Sequence, residues 1–238
     1  MARIFNRIRK DLLSAQKFRK YLVYAVGEII LVVVGILIAL QINNWNQERQ
    51  QTAEFYSVLS IIREELTQDT AEVAAVLDVY KKKEPIYRRV LNDSASAEDY
   101  QSFEWSGLIM NYAPMTVEKQ GYERLSALSN TDDPQYDSLK LALSTFYSYY
   151  LDRIEEDRSK VTNDYLKNVE SWKQNKAILY DIWTQRPAGI DYLLHSDDYK
   201  GRVLFHRSLI YRNYLPRLDA FRNDATDLIN HIDSVLAR

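Results

Sequence analysis

Apolar residues run unbroken from Ile29 to Leu40 within YLVYAVGEIILVVVGILIALQI (residues 21–42), and beyond that run they return only at every third or fourth position. The first pattern predicts a helix that is apolar on every side. From Tyr21 to Leu40 it covers about 30 Å at helical rise, the thickness of a hydrocarbon core. The second pattern predicts amphipathic helices. Phe55, Leu59, Ile62, Leu66, Val73, Val76 and Tyr80 form one stripe, with Asp69 its single polar interruption, and no breaker stands between Gly35 and Pro85. The apolar helix is therefore expected to continue as one rod to about Lys83. Asn92 to Ser96 reads as a loop, Ser96 with Asp99 as a capping box for a helix to about Tyr112, and Thr116 as the cap of a second short helix. Asp133 before Pro134 starts a helix expected to reach Gln185, where Arg186-Pro187 stops it. Ser196 caps the last long helix. Its seam (Leu204, Tyr211, Tyr214, Leu218, Phe221, Ala225, Leu228, Ile232, Val235) keeps heptad spacing through an expected kink at Pro216. The predicted fold class is all-α: an N-terminal transmembrane helix (21–44) continuing into an elongated antiparallel helical bundle (45–238), with three long helices and two short ones.

Charge gives the span a direction. Residues 1–20 carry Arg3, Arg7, Arg9, Lys10, Lys17, Arg19 and Lys20 against Asp11 alone, whereas the flank after the span offers only Glu48 and Arg49. The positive-inside rule puts the basic leader in the cytoplasm and the bundle in the periplasm. Tyr21, Tyr24 and Trp45 sit where amphipathic rings prefer the headgroup level. A secretory signal peptide shares the short apolar run, but the small residues a signal peptidase reads are missing from ALQINNW (39–45), so the segment reads as an uncleaved inner-membrane anchor. Ile4, Phe5, Ile8, Leu12 and Leu13 recur among the leader's cations, the pattern of an interfacial helix lying on membrane lipid. Without the leader, 24 cations face 32 acids. That balance lacks the basic face a nucleic-acid partner requires. The absence of cysteine excludes disulfides, thiolate metal sites and cysteine nucleophiles.

The run Lys20-Tyr21-Leu22, then YAVGEIILVVVGILIALQINNWN (24–46), resembles the N-terminal signature of a family of uncharacterised single-pass inner-membrane proteins from Bacteroidota, a domain of unknown function. Leu12-Leu13-Ser14 and Lys17-Phe18 resemble the same family's leader. Tyr122-Glu123-Arg124-Leu125 resembles its Tyr-Glu-x-Leu element. The resemblance implies inner-membrane residence and a helical periplasmic region, and it brings no catalytic residues.

Glu28 is the first candidate for a role. A charged carboxylate at mid-membrane costs roughly 2.5–3.5 kcal/mol on insertion scales, so it calls for a proton or a partner. At about 100° per residue Tyr24, Glu28, Val32, Gly35, Ala39 and Ile42 share one face, and Gly35 with Ala39 forms the small-xxx-small step that lets two helices approach. This face is read as an association surface; the alternatives are a carboxyl near the cytoplasmic headgroups that binds water or Lys20, and, below that, an ion or proton pathway. Phe146-Tyr147-Ser148-Tyr149-Tyr150 is the second candidate, since consecutive aromatics on a helix cannot all face one core; core packing, protein contact and a small-molecule pocket are the three readings, and Tyr147 and Tyr149 are the candidates for an interaction surface. His195 beside Asp197 and Asp198 reads as a loop histidine rather than a metal ligand. With no nucleophile elbow, phosphate loop or dinucleotide fingerprint, no cofactor is expected. The sequence points to a non-enzymatic scaffold or accessory subunit that self-associates or binds other envelope proteins. A ligand-sensing bundle signalling through a partner is the first rival, and a hydrolase with an acidic or metal site the second.

Overall fold

The computed structural model describes residues 18–128 and 134–237. The leader up to Lys17 and the expected N-cap Asp133 lie outside the described residues. Among the described residues the chain is helical and has no strand. Helix α1 spans Phe18–Leu91, followed by a 3-10 turn, Asp99–Gln101, and a four-residue α2, Phe103–Ser106. Then come α3, Gln120–Ala127, and the long α4, Pro134–Gln174. Two short helices, α5 (Lys176–Trp183) and α6 (Pro187–His195), lead to α7, Asp197–Leu209. A π-helical turn, Ile210–Tyr214, joins α7 to α8, Leu215–Leu236. The chain divides into two compact units, Met1–Glu54 and Phe55–Arg238, with the division inside α1.

In the first unit the described apolar side chains point outward on all sides. Leu22, Ile29, Ile30, Leu31, Ile36, Leu37 and Leu40 are all about half exposed or more, and none of the most apolar window is buried. The helix is long and apolar enough to cross a membrane, a property that anchors and signal sequences share.

The second unit has two cores. In the larger, Phe55, Leu59, Ile62, Leu66, Val73, Val76 and Tyr80 of α1 meet Leu139, Leu143, Phe146, Tyr150, Ile154 and Val161 of α4 and Leu218, Phe221, Ala225, Ile232 and Val235 of α8. All the α1 residues that the periodicity nominated are buried. The smaller core gathers Tyr87, Tyr100, Trp172, Leu193, Tyr199 and Val203.

Cross-contacts fix the directions. Arg63 pairs with Asp233, the Tyr80 ring meets Tyr211, and Glu84 pairs with Arg207, so the α7–α8 arm runs antiparallel to α1. Asp164 meets His206 while Tyr150 meets Asp224, so that arm is antiparallel to α4 as well. It follows that α1 and α4 run parallel. The return stroke between them is made by residues 92–128: Ala113 contacts Tyr80, Glu118 contacts Asp69, and Gly121 contacts Glu65.

Several boundaries differ from expectation. α1 passes Pro85 and ends at Leu91, with Asp93 in the left-handed region (φ 55°) closing it. The capping box forms, since the Ser96 amide donates to Asp99 (2.7 Å) and the Asp99 amide to Ser96 Oγ (3.4 Å), but it opens only the 3-10 turn and α2. Thr116 caps nothing, because α3 begins at Gln120. The helix expected to reach Gln185 stops at Gln174, where the Asn175 side chain accepts from the Ile178 amide and restarts the chain as α5. Ser196 caps α7 as expected, through the Tyr199 amide.

The seam of the last arm also shifts. Leu204 is 57 % exposed, whereas Val203 and Ile210 are fully buried. The π turn holds one residue more than a regular turn, so everything before it is displaced by one position from the heptad that continues through Leu218.

Candidate functional site

A helical bundle leaves little room for irregular chain, yet residues 111–119 carry no regular structure and bury Met115 and Val117 in the larger core. From Ala113 to Glu118 this strap advances five residues while α1 runs from Tyr80 back to Asp69, eleven residues or about 16 Å at helical rise. The strap thus runs antiparallel beside α1 without helical structure of its own. Apart from the Lys119 carbonyl, which accepts from the Glu123 amide of α3, its backbone groups have no helical partners, and those that are buried must be satisfied otherwise, because a buried unpaired amide or carbonyl is costly.

Side chains of the surrounding helices do this. Tyr80 Oη accepts from the Ala113 amide at 3.1 Å, and Tyr214 Oη donates to the Ala113 carbonyl at 3.3 Å. The Asp69 carboxylate accepts from the Glu118 amide at 3.2 Å and 3.4 Å. Glu65 accepts from the Gly121 amide at 3.0 Å and 3.1 Å, so both oxygens hold the first turn of α3. Gly121 lies so close to α1 that a Cβ there would stand 2.6 Å from Ile62 Cγ1 and 3.1 Å from the Ile62 amide nitrogen. The Tyr-Glu-x-Leu element next to it completes the contact: Leu125 is fully buried, and the Tyr122 ring stacks on Tyr147 at 4.6 Å.

The electrostatics of this seat are one-sided. Burial pushes the Asp69 carboxyl up from 3.8 to about 7; the Glu118 amide opposes that rise, and Glu118, Glu72 and Glu65 add to it. Burial raises Glu65 too, against the Gly121 amide and Arg124. Sequence reasoning noticed Asp69 only as a gap in an apolar stripe. The gap was the signal, since a polar residue at a core position has a buried partner to satisfy.

The structure splits the aromatic cluster. Tyr147 is fully buried, so it belongs to the core and not to an interaction surface, a correction that follows from its position between the Tyr122 and Phe146 rings. Tyr150 is buried as well, donating to Asp224 at 2.5 Å and lying against Phe221. Tyr149 does reach solvent at 43 % exposure, with the Arg153 guanidinium 4.1 Å over its ring and Arg217 donating to its hydroxyl at 3.5 Å.

On the apolar unit, Glu28, Gly35 and Ala39 are exposed and Tyr24 is half-buried. Nothing stands within 4 Å of where a Cβ would sit at Gly35. The helix is exposed all round over this stretch, so the exposure does not set these four positions apart from the rest.

One polar cluster escaped the sequence reading. His206, fully buried on α7, shares a 2.7 Å hydrogen bond between Nδ1 and Asp164 on α4. Asp164 accepts from Asn168, whose side-chain oxygen accepts from Arg202, itself paired to Asp198. The chain of bonds clamps α4 to α7 where their apolar seam thins. It was missed because the heptad assignment put Leu204 inside. His195, by contrast, is exposed and bonds Asp191 at 2.9 Å. Among the described residues no three histidine, aspartate or glutamate side chains gather as a metal site.

Residues 28–184 match a family of unknown function, DUF6090. No curated protein and no solved structure matches the chain.

Proposed function

Since the chain belongs to DUF6090, a family of unknown function matched over residues 28–184, we propose its role from its own residues: a non-enzymatic, membrane-anchored helical scaffold or accessory subunit. The observation that carries this reading is the apolar unit, whose large apolar side chains from Leu22 to Ile42 are all about half exposed or more. Such a surface needs lipid or another helix against it. The charge asymmetry supports a single pass through the inner membrane, with the leader in the cytoplasm and the bundle in the periplasm. Tyr24, Glu28, Gly35 and Ala39 form the association face, on which small residues allow close approach and Glu28 hydrogen-bonds across the contact. The partner is a second copy or another envelope protein, and Tyr149 with Arg153 and Arg217 offers the periplasmic contact. Tyrosine and arginine are the residue types that concentrate binding energy at such contacts.

A membrane two-hybrid assay tests the face. Gly35→Leu or Ala39→Leu is expected to weaken association, while Val33→Leu on the opposite side leaves it intact and Glu28→Gln largely preserves it. Equal losses from all three leucine variants sink the reading, since they mean general damage to insertion.

A further inference from the structure

The strap that returns along α1 is held at its lower end by two carboxylates, with Arg124 of α3 beside Glu65. Asp69 and Glu65 accept from the Glu118 and Gly121 amides, and both face the unit's interior. On α1 itself Glu65 and Glu72 act on Asp69; from the strap Glu118 does; from α4 the buried Tyr147 hydroxyl lies within its field. Arg124 of α3 faces Glu65, and across the strap Tyr214 of the π turn faces Glu72 and Arg158. The charges acting most strongly on Asp69 are all acids.

We propose that Asp69 and Glu65 form a pH-operated latch on the strap, closed tightly in acid and loosened in alkali. A proton on Asp69 removes one of several crowded negative charges and leaves a carbonyl oxygen to accept from the Glu118 amide. Loss of that proton puts a charge on a carboxyl that is only 1 % exposed, and opening the strap returns that charge to water; Glu118, the acid on the strap itself, adds repulsion in the same direction. Folding raises the Asp69 carboxyl from 3.8 to about 7, so the folded state binds the proton more readily than the unfolded chain. The linkage sign is therefore opposite to that of a salt-bridged aspartate: stability is greatest in acid and declines as pH rises from 3.8 to about 7. The latch lies wholly in the Phe55–Arg238 unit and holds whether or not the chain is anchored as proposed.

Hydrogen exchange on the full chain in detergent micelles, corrected for intrinsic exchange, tests the latch. Protection of the Glu118 and Gly121 amides is expected to fall roughly tenfold or more between about pH 5.5 and about pH 8.5, while amides in the middle of α4, which exchange only when the whole unit opens, stay the better protected at both pH values. Asp69→Asn is expected to flatten the profile at the level the parent reaches in acid. Glu72→Gln removes a repelling charge that makes no strap hydrogen bond, and it is expected to move the midpoint to lower pH, which keeps the test decisive if Asp69→Asn does not fold. A flat profile in the parent overturns the proposal. So does an Asp69→Asn profile that still follows the parent's, or a Glu72→Gln midpoint that stays in place.

Discussion

Replacing Tyr147 by phenylalanine should stabilise this protein, against the usual direction of core substitutions. The Tyr147 hydroxyl is buried without a hydrogen-bond partner, and its ring stays packed between Tyr122 and Phe146 whether or not the oxygen is present. A buried polar group left unsatisfied costs about 1–3 kcal/mol. Removing one oxygen opens a space of on the order of 10 Å³, which returns only about 0.2 kcal/mol at the measured cavity cost. The net gain expected for Tyr147→Phe is about 0.8–2.8 kcal/mol, or roughly 2–11 °C in Tm for a unit of this size. Tyr150, three positions on, supplies the control. Its hydroxyl donates to the Asp224 carboxylate at 2.5 Å, so Tyr150→Phe breaks a charge-assisted bond and should cost about 1.5–3 kcal/mol. The assay is urea unfolding of the fragment 55–238 at fixed pH, with equal m-values required before midpoints are compared. Opposite signs from two tyrosines on one helix are the expected result. A loss of 1 kcal/mol or more for Tyr147→Phe would refute the reasoning, because it would mean that the hydroxyl donates to Asp69 or Glu65 in solution.

Leu218→Ala, at the fully buried centre of the α8 seam, is expected to cost about 2–5 kcal/mol in the same unfolding assay. Tyr149→Ala, half in solvent, should stay within about 0.5 kcal/mol of the parent, with loss of partner binding rather than of stability as its readout. Gly189→Ala is expected to dislodge α6 from α5 and to lower the unfolding midpoint sharply. A Cβ there would stand 2.4 Å from the Asp181 carbonyl carbon and 2.5 Å from the Ile182 nitrogen, where only backbone can yield. A midpoint unchanged by that alanine would show the two short helices to be further apart.

The α1 stripe was fully legible in the sequence because its core contacts follow one uninterrupted helical period from Phe55 to Tyr80. The capping signals at Ser96 and Ser196 were legible too, being local chemistry of a few residues. What each cap opens was not, since helix length depends on tertiary partners such as the Asn175 side chain that restarts the chain. The strap was illegible for a related reason. Residues 111–119 have no period of their own, and their conformation is set by Tyr80, Asp69, Glu65 and Tyr214, which lie tens of residues away. The parallel course of α1 and α4 follows from that strap, so placing short helices at both of its ends also concealed the topology. Tyr147 and Tyr149 were indistinguishable by composition; only the rotation of α4 against Tyr122 separates them.

Along the last arm the buried seam steps seven residues from Val203 to Ile210 and eight from Ile210 to Leu218, with the π turn taking up the difference. Chain length and facing are uncoupled at that point. Omitting the exposed Arg212 would place Ile210 seven positions before Leu218, so that α7 and α8 merge into one regular spiral with Val203, Ile210 and Leu218 still inward. Omitting Asn223 from the middle of α8 would instead swing everything beyond it by about 100° and turn Ile232 and Val235 out to water. What the shortened turn gives up is Tyr211, whose hydroxyl now donates to the Tyr80 carbonyl at 2.6 Å. The surplus residue therefore serves the tyrosines that flank the strap, and the packing of the three long helices does not depend on it.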